Sequence, residues 1–205
     1  MIKKIFITGA AGFIGSHLSE KLYSKFNNAQ FILYDKITYA ANKKYLKNLL
    51  KKRNVLFVRG DILNFKSLQN YLKNVDLVIN VAAESHVDNS FGNSLLFTKT
   101  NTLGTHYLLE ACRKKRVKRV IHVSTDEVYG ENLDKSFKEI QSLNPTNPYS
   151  ASKAGADMMV NAYKKSYKMN IITVRANNIY GIRQYPEKLI SKSIYNFINN
   201  KKMTI

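Results

Sequence analysis

The sequence predicts an α/β fold, a doubly wound parallel sheet with helices on both faces, from three observations. Short apolar runs alternate with longer segments of helical pattern along the chain. Directly after the first run, three glycines spaced three apart open a helical segment. An aspartate, Asp35, closes the second run about 20 residues after the last of those glycines.

Six runs read as strands: "IKKIFIT" (2–8), "FILYD" (31–35), "VLFVRGD" (55–61), "DLVINVAA" (76–83), "RVIHVST" (119–125) and "NIITVRA" (170–176). Helical segments are expected over 13–26, 45–51, 65–73, 97–115 and 149–167. Asn147 can cap the last of these and Pro148 can start it. Apolar strands alternating with helices imply a parallel sheet covered on both faces. Ligands of such sheets bind beyond the carboxyl ends of the strands.

At 205 residues and 44% hydrophobic composition the chain can bury a substantial core. Its one cysteine, Cys112, excludes an internal disulfide framework and suits a reducing compartment. The opening "MIKKIFITGAAGFIG" superficially resembles a signal peptide, but its glycines have a better use. No apolar run approaches the roughly 20 residues of a membrane span. A soluble, cytoplasmic protein is therefore expected. The formal charge is +19, with basic stretches at 51–53 and 113–119. Lysines are scattered throughout, and Arg113 to Arg116 close an expected helix, where cations favour the negative dipole end. Nucleic acid is thus not the expected partner, whereas a basic field would draw in anionic nucleotides.

The glycines lie in "TGAAGFIG". Gly9 and Gly12 let the backbone turn tightly and approach a pyrophosphate, while Gly15 permits close helix–sheet packing. The helix N-terminus adds N–H donors and a positive dipole end. With Asp35 placed to take a ribose, the pattern predicts a Rossmann-like dinucleotide site. An acid there disfavours a 2′-phosphate, so NAD is expected rather than NADP.

Two further stretches carry chemistry. "STDEVYG" (124–130) puts Asp126 and Glu127 just beyond the fifth strand. Neighbours along a strand face opposite ways, so both can serve one site only where the strand has ended and turned. Gly130 permits such a turn. "NPYSASK" (147–153) holds Tyr149 and Lys153 four residues apart on one helical face. A lysine near the phenol favours phenolate, giving a base that removes an alcohol proton while hydride leaves.

The stretches "TGAAGFIGSHL", "YDKITYAANKKYL", "AAESHVDNSF", "VSTDEVYG", "NPYSASKAGAD" and "NNIYGIRQYPEKLI" resemble the extended short-chain dehydrogenase/reductase family. Within it they resemble the nucleotide-sugar 4,6-dehydratases. The Tyr-x-x-x-Lys pair marks the superfamily only; the Thr-Asp-Glu triplet is much more specific. The resemblance implies NAD-dependent dehydration of dTDP-glucose or UDP-glucose. Tyr149, aided by Lys153 and Thr125, would take the O4 proton, Glu127 the C5 proton, and Asp126 would protonate the departing C6 hydroxyl. A related epimerase or decarboxylase, or a non-catalytic NAD-binding module, are the alternatives.

The resemblance further assigns cofactor contacts to Phe13, Ile14, Lys36, Thr38, Asp61, Ile62, Val81, Ala82, Ala83, Thr100 and Asn178. Ser85, Asn177, Lys188 and Leu189 match substrate-facing positions. His86 and His122 are expected in structural roles, since no cluster with metal spacing accompanies them. Family members extend well beyond Ile205. Residues 1–176 are therefore expected to form the NAD-binding domain, and 177–205 the start of a substrate-binding region. Family members commonly dimerise through two long helices per partner, here 97–115 and 149–167.

Overall fold

The computed structural model describes residues 2–131 and 136–202. Six strands, β1 (Lys4–Thr8), β2 (Gln30–Asp35), β3 (Val55–Arg59), β4 (Leu77–Asn80), β5 (Arg119–Thr125) and β6 (Ile171–Ala176), form one sheet. Every pairing is parallel, and the order is β3-β2-β1-β4-β5-β6. The chain crosses over twice outward from β1, so β1 and β4 flank the switch point where such sheets open a crevice.

The helices are α1 (Phe13–Lys25), α2 (Phe65–Tyr71), α3 (Val87–Gly92), α4 (Ser94–Phe97), α5 (Gly104–Lys114), α6 (Pro148–Ser166) and α7 (Leu189–Ile198). Side chains alternate across a strand, and β1 divides its apolar residues accordingly. Phe6 joins Tyr34, Val78 and Val120 beneath Leu68, Leu108, Leu109 and Val160, the faces of α2, α5 and α6. Ile5 and Ile7 join Leu33 and Ile79 on the opposite side, against Leu18 and Leu22 of α1. The sheet is doubly wound, as expected. No helix among the described residues is long and apolar enough to cross a membrane.

Several boundaries differ from the sequence reading, each for a tertiary reason. The fourth strand stops at Asn80 rather than continuing to 83, because the amides of Val81 and Ala82 donate to Thr8 Oγ1 at 3.1 and 3.2 Å. The expected helix over 45–51 is two short 3₁₀ turns, Lys43–Leu46 and Leu49–Lys51. Leu46, ending the first turn, and Leu49, opening the second, both enter the core.

The expected helix over 97–115 starts earlier, at Ser94, and is interrupted by a π-helical stretch, Thr98–Leu103. There Asn101 donates to Glu84 O and Ser152 Oγ, and Thr102 donates to Ser152 O at 2.8 Å. These bonds across to α6 pull the backbone out of the α register. Gly155 of α6 lies where a Cβ would meet Thr102 Oγ1 at 3.0 Å, so the two segments approach closely.

The start of α6 follows the sequence reading. Asn147 accepts from Ser150 N at 2.8 Å, Ser150 Oγ accepts from Asn147 N, and Pro148 occupies the first turn. Asn147→Ala should cost about 1 kcal/mol of stability. Gly15→Ala should cost roughly 1–3 kcal/mol, because its Cβ would overlap the Gly9 carbonyl oxygen. Urea unfolding followed by circular dichroism measures both; unchanged midpoints would show that neither contact carries stability.

Candidate active site

A cavity of about 560 Å³ opens along the carboxyl ends of β1, β2, β4 and β5. Its floor is the loop between β1 and α1. Gly9 has φ +64, and a Cβ on it would meet Ala82 N at 2.7 Å. The first bond inside α1 runs from Ser16 N to Gly12 O, so the amides of Phe13, Ile14 and Gly15 precede the helix's own ladder. Gly12, the N-cap, makes no side-chain cap. A backbone cradle with amides at a helix N-terminus suits a diphosphate.

At one side of this floor stands Asp35, 6% exposed. Its Oδ2 accepts from Ala11 N at 2.8 Å and its Oδ1 from Ile37 N at 2.7 Å. Burial pushes its carboxyl above the usual range, against the pull of those amides. Each oxygen keeps a lone pair for a ribose hydroxyl. Lys36, Thr38, Asp61 and Ile62 complete this wall, with Lys36 Nζ 2.7 Å from Asp61 Oδ2. Val81, Ala82, Ala83 and Thr100 line the middle of the cavity. The residues present fit a dinucleotide with free ribose hydroxyls.

The far end is built by β5, α6 and the loop after β6. The strand ends at Thr125, and Asp126–Tyr129 form a 3₁₀ turn capped by Thr125, whose Oγ1 accepts from Glu127 N at 3.2 Å. Gly130 follows at φ +85. The turn does separate the two carboxylates from strand geometry, as the sequence required. It does not bring both into one cavity. Thr125, Glu127 and Tyr149 line the main cavity, whereas Asp126 lines an adjacent hollow with Tyr129, Phe137, Glu139 and Arg175. Asn177 borders both. Thr125 Oγ1 links the two, lying 3.1 Å from Asp126 Oδ1. The expectation that Asp126 and Glu127 face one space is corrected to two connected spaces.

Tyr149 and Lys153 share the inner face of α6, but they are not hydrogen-bonded to each other. Lys153 Nζ donates to Val123 O at 2.7 Å, and the lysine sits behind the cavity wall. Burial pulls its ammonium down to about 8. Burial and then the charge of Glu127 push the Tyr149 phenol up to about 12, with Thr125 opposing. The expected lowering of the phenol is therefore not the protein's own doing, because desolvation outweighs a lysine committed to a backbone carbonyl.

Ser85, Asn177, Asn178, Lys188 and Leu189 line the outer mouth. Lys188 Nζ donates to Ser85 O at 2.8 Å and stands 5.9 Å from the Tyr149 ring centre. Sequence reasoning missed Glu84, Tyr185 and Glu187 in the same wall. Tyr39 OH donates to Glu187 Oε2 at 2.9 Å, and Tyr39 packs edge-on against Tyr185. Only the position of Glu187 inside "YPEKLI" could have signalled it. His86 Nε2 meets Glu187 O at 3.0 Å, and His122 lies buried beside Asn80 and Asp157, so both histidines hold elements together.

Comparison with known proteins bears on this geometry. A family model described as GDP-mannose 4,6 dehydratase matches residues 6–205. A dTDP-D-glucose 4,6-dehydratase of Dictyostelium discoideum is 51% identical over 100% of this chain, which corresponds to 50% of that relative. An Arabidopsis thaliana trifunctional UDP-glucose 4,6-dehydratase/UDP-4-keto-6-deoxy-D-glucose 3,5-epimerase/UDP-4-keto-L-rhamnose-reductase is 49% identical over 99% of this chain and 32% of its own length. Among solved structures, the Streptomyces venezuelae dTDP-glucose 4,6-dehydratase, crystallised with NAD bound, superposes with a TM-score of 0.93 at 40% identity. That superposition covers 96% of this chain and 62% of the other. The chain thus spans half or less of the two curated relatives' length. By the extent of these matches, the chain belongs to the GDP-mannose 4,6 dehydratase family.

Proposed function

We propose that the chain carries the NAD-binding and catalytic part of a nucleotide-sugar 4,6-dehydratase. It is a hydro-lyase converting dTDP-glucose or UDP-glucose to the 4-keto-6-deoxyglucose nucleotide, an early step in making rhamnose and other deoxysugars. The observation that carries the reading is the meeting of Thr125, Glu127 and Tyr149 at one end of a cavity whose floor is a glycine cradle. On this reading residues 1–176 form the NAD-binding domain. Residues 177–205, of which 203–205 lie outside the described residues, begin the substrate-binding region.

The residues divide the work. Phe13, Ile14 and Gly15 amides hold the pyrophosphate, and Asp35 holds a ribose. NAD, when bound, supplies a cationic nicotinamide ring that accepts a hydride and returns it. Tyr149 takes the O4 proton of the glucose unit, with Thr125 beside the same hydroxyl. Because burial holds the phenol at about 12, Tyr149 works as a base only when cations in the buried site lower it. The 4-keto group so formed acidifies C5, whose proton Glu127 removes. Asp126 protonates the C6 hydroxyl, which leaves as water; it borders the adjacent hollow, and its charge, like that of Glu127, acts on the Tyr149 phenol. Ser85, Asn177, Lys188 and Leu189 hold the sugar and diphosphate at the mouth.

The same reading makes the protein a cytoplasmic homodimer joined through α5, α6 and their flanking turn. Exposed Leu103 and Met158 on those segments support it. Cys112, a buried free thiol, suits a reducing compartment.

Incubating this chain, alone and within any longer protein that carries it, with dTDP-glucose and UDP-glucose should give a 4-keto-6-deoxy product by NMR from at least one. No product from either, in either form, would sink the dehydratase reading, and an inverted C4 hydroxyl would favour an epimerase. Tyr149→Phe should lose roughly 10²–10⁴-fold in rate while retaining NAD. Glu127→Gln should stop after C4 oxidation, seen as a standing rise in near-ultraviolet absorbance without product. Wild-type turnover in the Gln variant would remove Glu127 as the base.

A further inference from the structure

Tyr149 and Lys153 are the first two members of a longer row. One more helical turn along α6 the same inner face carries Asp157, and all three side chains are buried, at 8%, 4% and 1% exposure. Residues spaced i, i+4 and i+8 share a helix face. An aspartate at a buried position is costly unless it is paired, so its retention calls for partners, and these come from two strands. From β6, Arg175 Nε donates to Asp157 Oδ2 at 2.8 Å. From β5, His122 Nε2 approaches Asp157 Oδ1 at 3.5 Å, and Ser124 also lies close to the carboxylate.

The row has a second feature. His122 Nε2, Ser124 Oγ and Asp157 Oδ1 are all buried, and none has a hydrogen-bond partner of good geometry among the described residues. The 3.5 Å approach of the neutral His122 is therefore a long polar contact and not a formed hydrogen bond. Arg175 is wholly engaged elsewhere on its other side: its Nη1 donates to Tyr129 OH at 2.6 Å and to Glu139 O at 3.2 Å. One carboxylate oxygen is tied to Arg175, and the other faces His122 Nε2 without a formed hydrogen bond.

We propose that Asp157 is a positioning residue for the Tyr149–Lys153 pair, a buried counter-charge one turn further along α6 that keeps the Lys153 ammonium protonated. The proposal rests on the dehydratase reading only for its consequence in catalysis; the electrostatic claim concerns this chain alone. Among the described residues, the hydrogen bond of Lys153 Nζ goes to the Val123 carbonyl. A carbonyl dipole holds the ammonium in place but supplies no charge to balance it. Burial acts on Lys153 in one direction and Asp157 acts in the other. Burial raises the Asp157 carboxyl, but His122 and Arg175 overcome this and keep it below the ordinary range, so it stays ionised. His122 is driven down by burial and stays neutral. The groups facing Asp157 are thus Lys153 on α6, His122 and Ser124 on β5, and Arg175 on β6, with Tyr129 reached through the arginine. From the π-helical stretch only the uncharged Asn101 and Thr102 approach α6. Lys153 is the one lysine in this set, and Asp157 the one carboxylate.

The sign of the effect is fixed. Removing a negative charge near a buried ammonium lowers the pH at which it loses its proton. The test is a carbon NMR titration of the whole chain, selectively labelled at the lysine Cε, with the Lys153 signal assigned by its loss in Lys153→Met. The midpoint should lie near 8 in the unchanged chain and fall by about one pH unit in Asp157→Asn. Asp157→Glu, which keeps the charge, should restore most of the shift. A Lys153 midpoint in Asp157→Asn within a few tenths of a unit of the unchanged chain would overturn the proposal. Where the single variant does not fold, Asp157→Asn with Arg175→Gln is titrated against Arg175→Gln alone. With the arginine charge absent from both, the double variant must titrate at the lower pH, and equal midpoints would overturn the proposal. Since no sugar is turned over, the titration stands or falls separately from the dehydratase assay. If that assay also succeeds, the alkaline limb of the rate profile should move to lower pH in Asp157→Asn by the same amount.

Discussion

The hydroxyl of Thr8 is the point from which the cavity is hung. It donates to Asn80 Oδ1 at 2.7 Å and accepts from the amides of Val81 and Ala82. Asn80 in turn donates to Thr105 Oγ1 at 3.2 Å and meets His122 Nδ1 at 3.1 Å. One buried chain of polar groups therefore joins the ends of β1 and β4, the side of β5 and the start of α5. It fixes where β4 stops, which places Ala82 against Gly9, and Gly9 has no Cβ to forbid that contact. A valine at position 8 would fill the same volume but strand three partners, which is why a buried polar network is worth more than the sum of its bonds.

A second constraint is electrostatic. Lys153, Asp157 and Arg175 place three charges beneath the active end of the sheet, where removing ions from water costs several kcal/mol each. That expense is reduced only because the groups are arranged as alternating signs within a small volume, with His122 neutral between them. A hydrophobic trio would hold α6 to β5 and β6 at least as well. The charges are better understood as serving the phenol that opens onto the cavity one turn away than as serving the fold.

How much of this was legible depended on the range of the cause. The glycine loop, the capped and proline-started helix at Asn147–Pro148, and the acid ending β2 are dictated by local backbone requirements, and sequence reasoning found each. The strand interiors were equally plain, because a parallel sheet covered on both faces needs near-continuous apolar runs. The π-helical stretch was not, since Asn101 and Thr102 distort the helix only through partners about 50 residues away. The division of Asp126 from Glu127 escaped for a similar reason: the triplet fixes that a turn occurs, but the hollow that Asp126 borders is built with Phe137 and Arg175 from farther along the chain. Lys153 was placed on the correct face, yet its bond to Val123 depends on how far α6 lies from β5.

The cavity's own charges impose a direction on whatever occupies it. Although the chain carries +19, acids gather along the walls: Asp35, Asp61 and Glu84 on one side, Glu187 at the mouth and Glu127 at the far end. Lys36 is neutralised by Asp61, so it offers little to a second anion. Elsewhere lysines and arginines are drawn into ion pairs on the outside, as with Arg113 on Glu110 and Lys118 on Asp76. Among the described lining residues, the amides opening α1 and the ammonium of Lys188 are positive points for a diphosphate. The first lies on the floor and the second at the mouth, and the uncharged Val81, Ala82 and Ala83 line the same cavity. On the proposed reading, a dinucleotide and a nucleotide sugar, two molecules with one diphosphate each, would meet one of these positive points apiece. On the proposed dehydratase reading, a sugar held at Lys188 would lie near the Tyr149 phenol, whose ring centre is 5.9 Å from that ammonium.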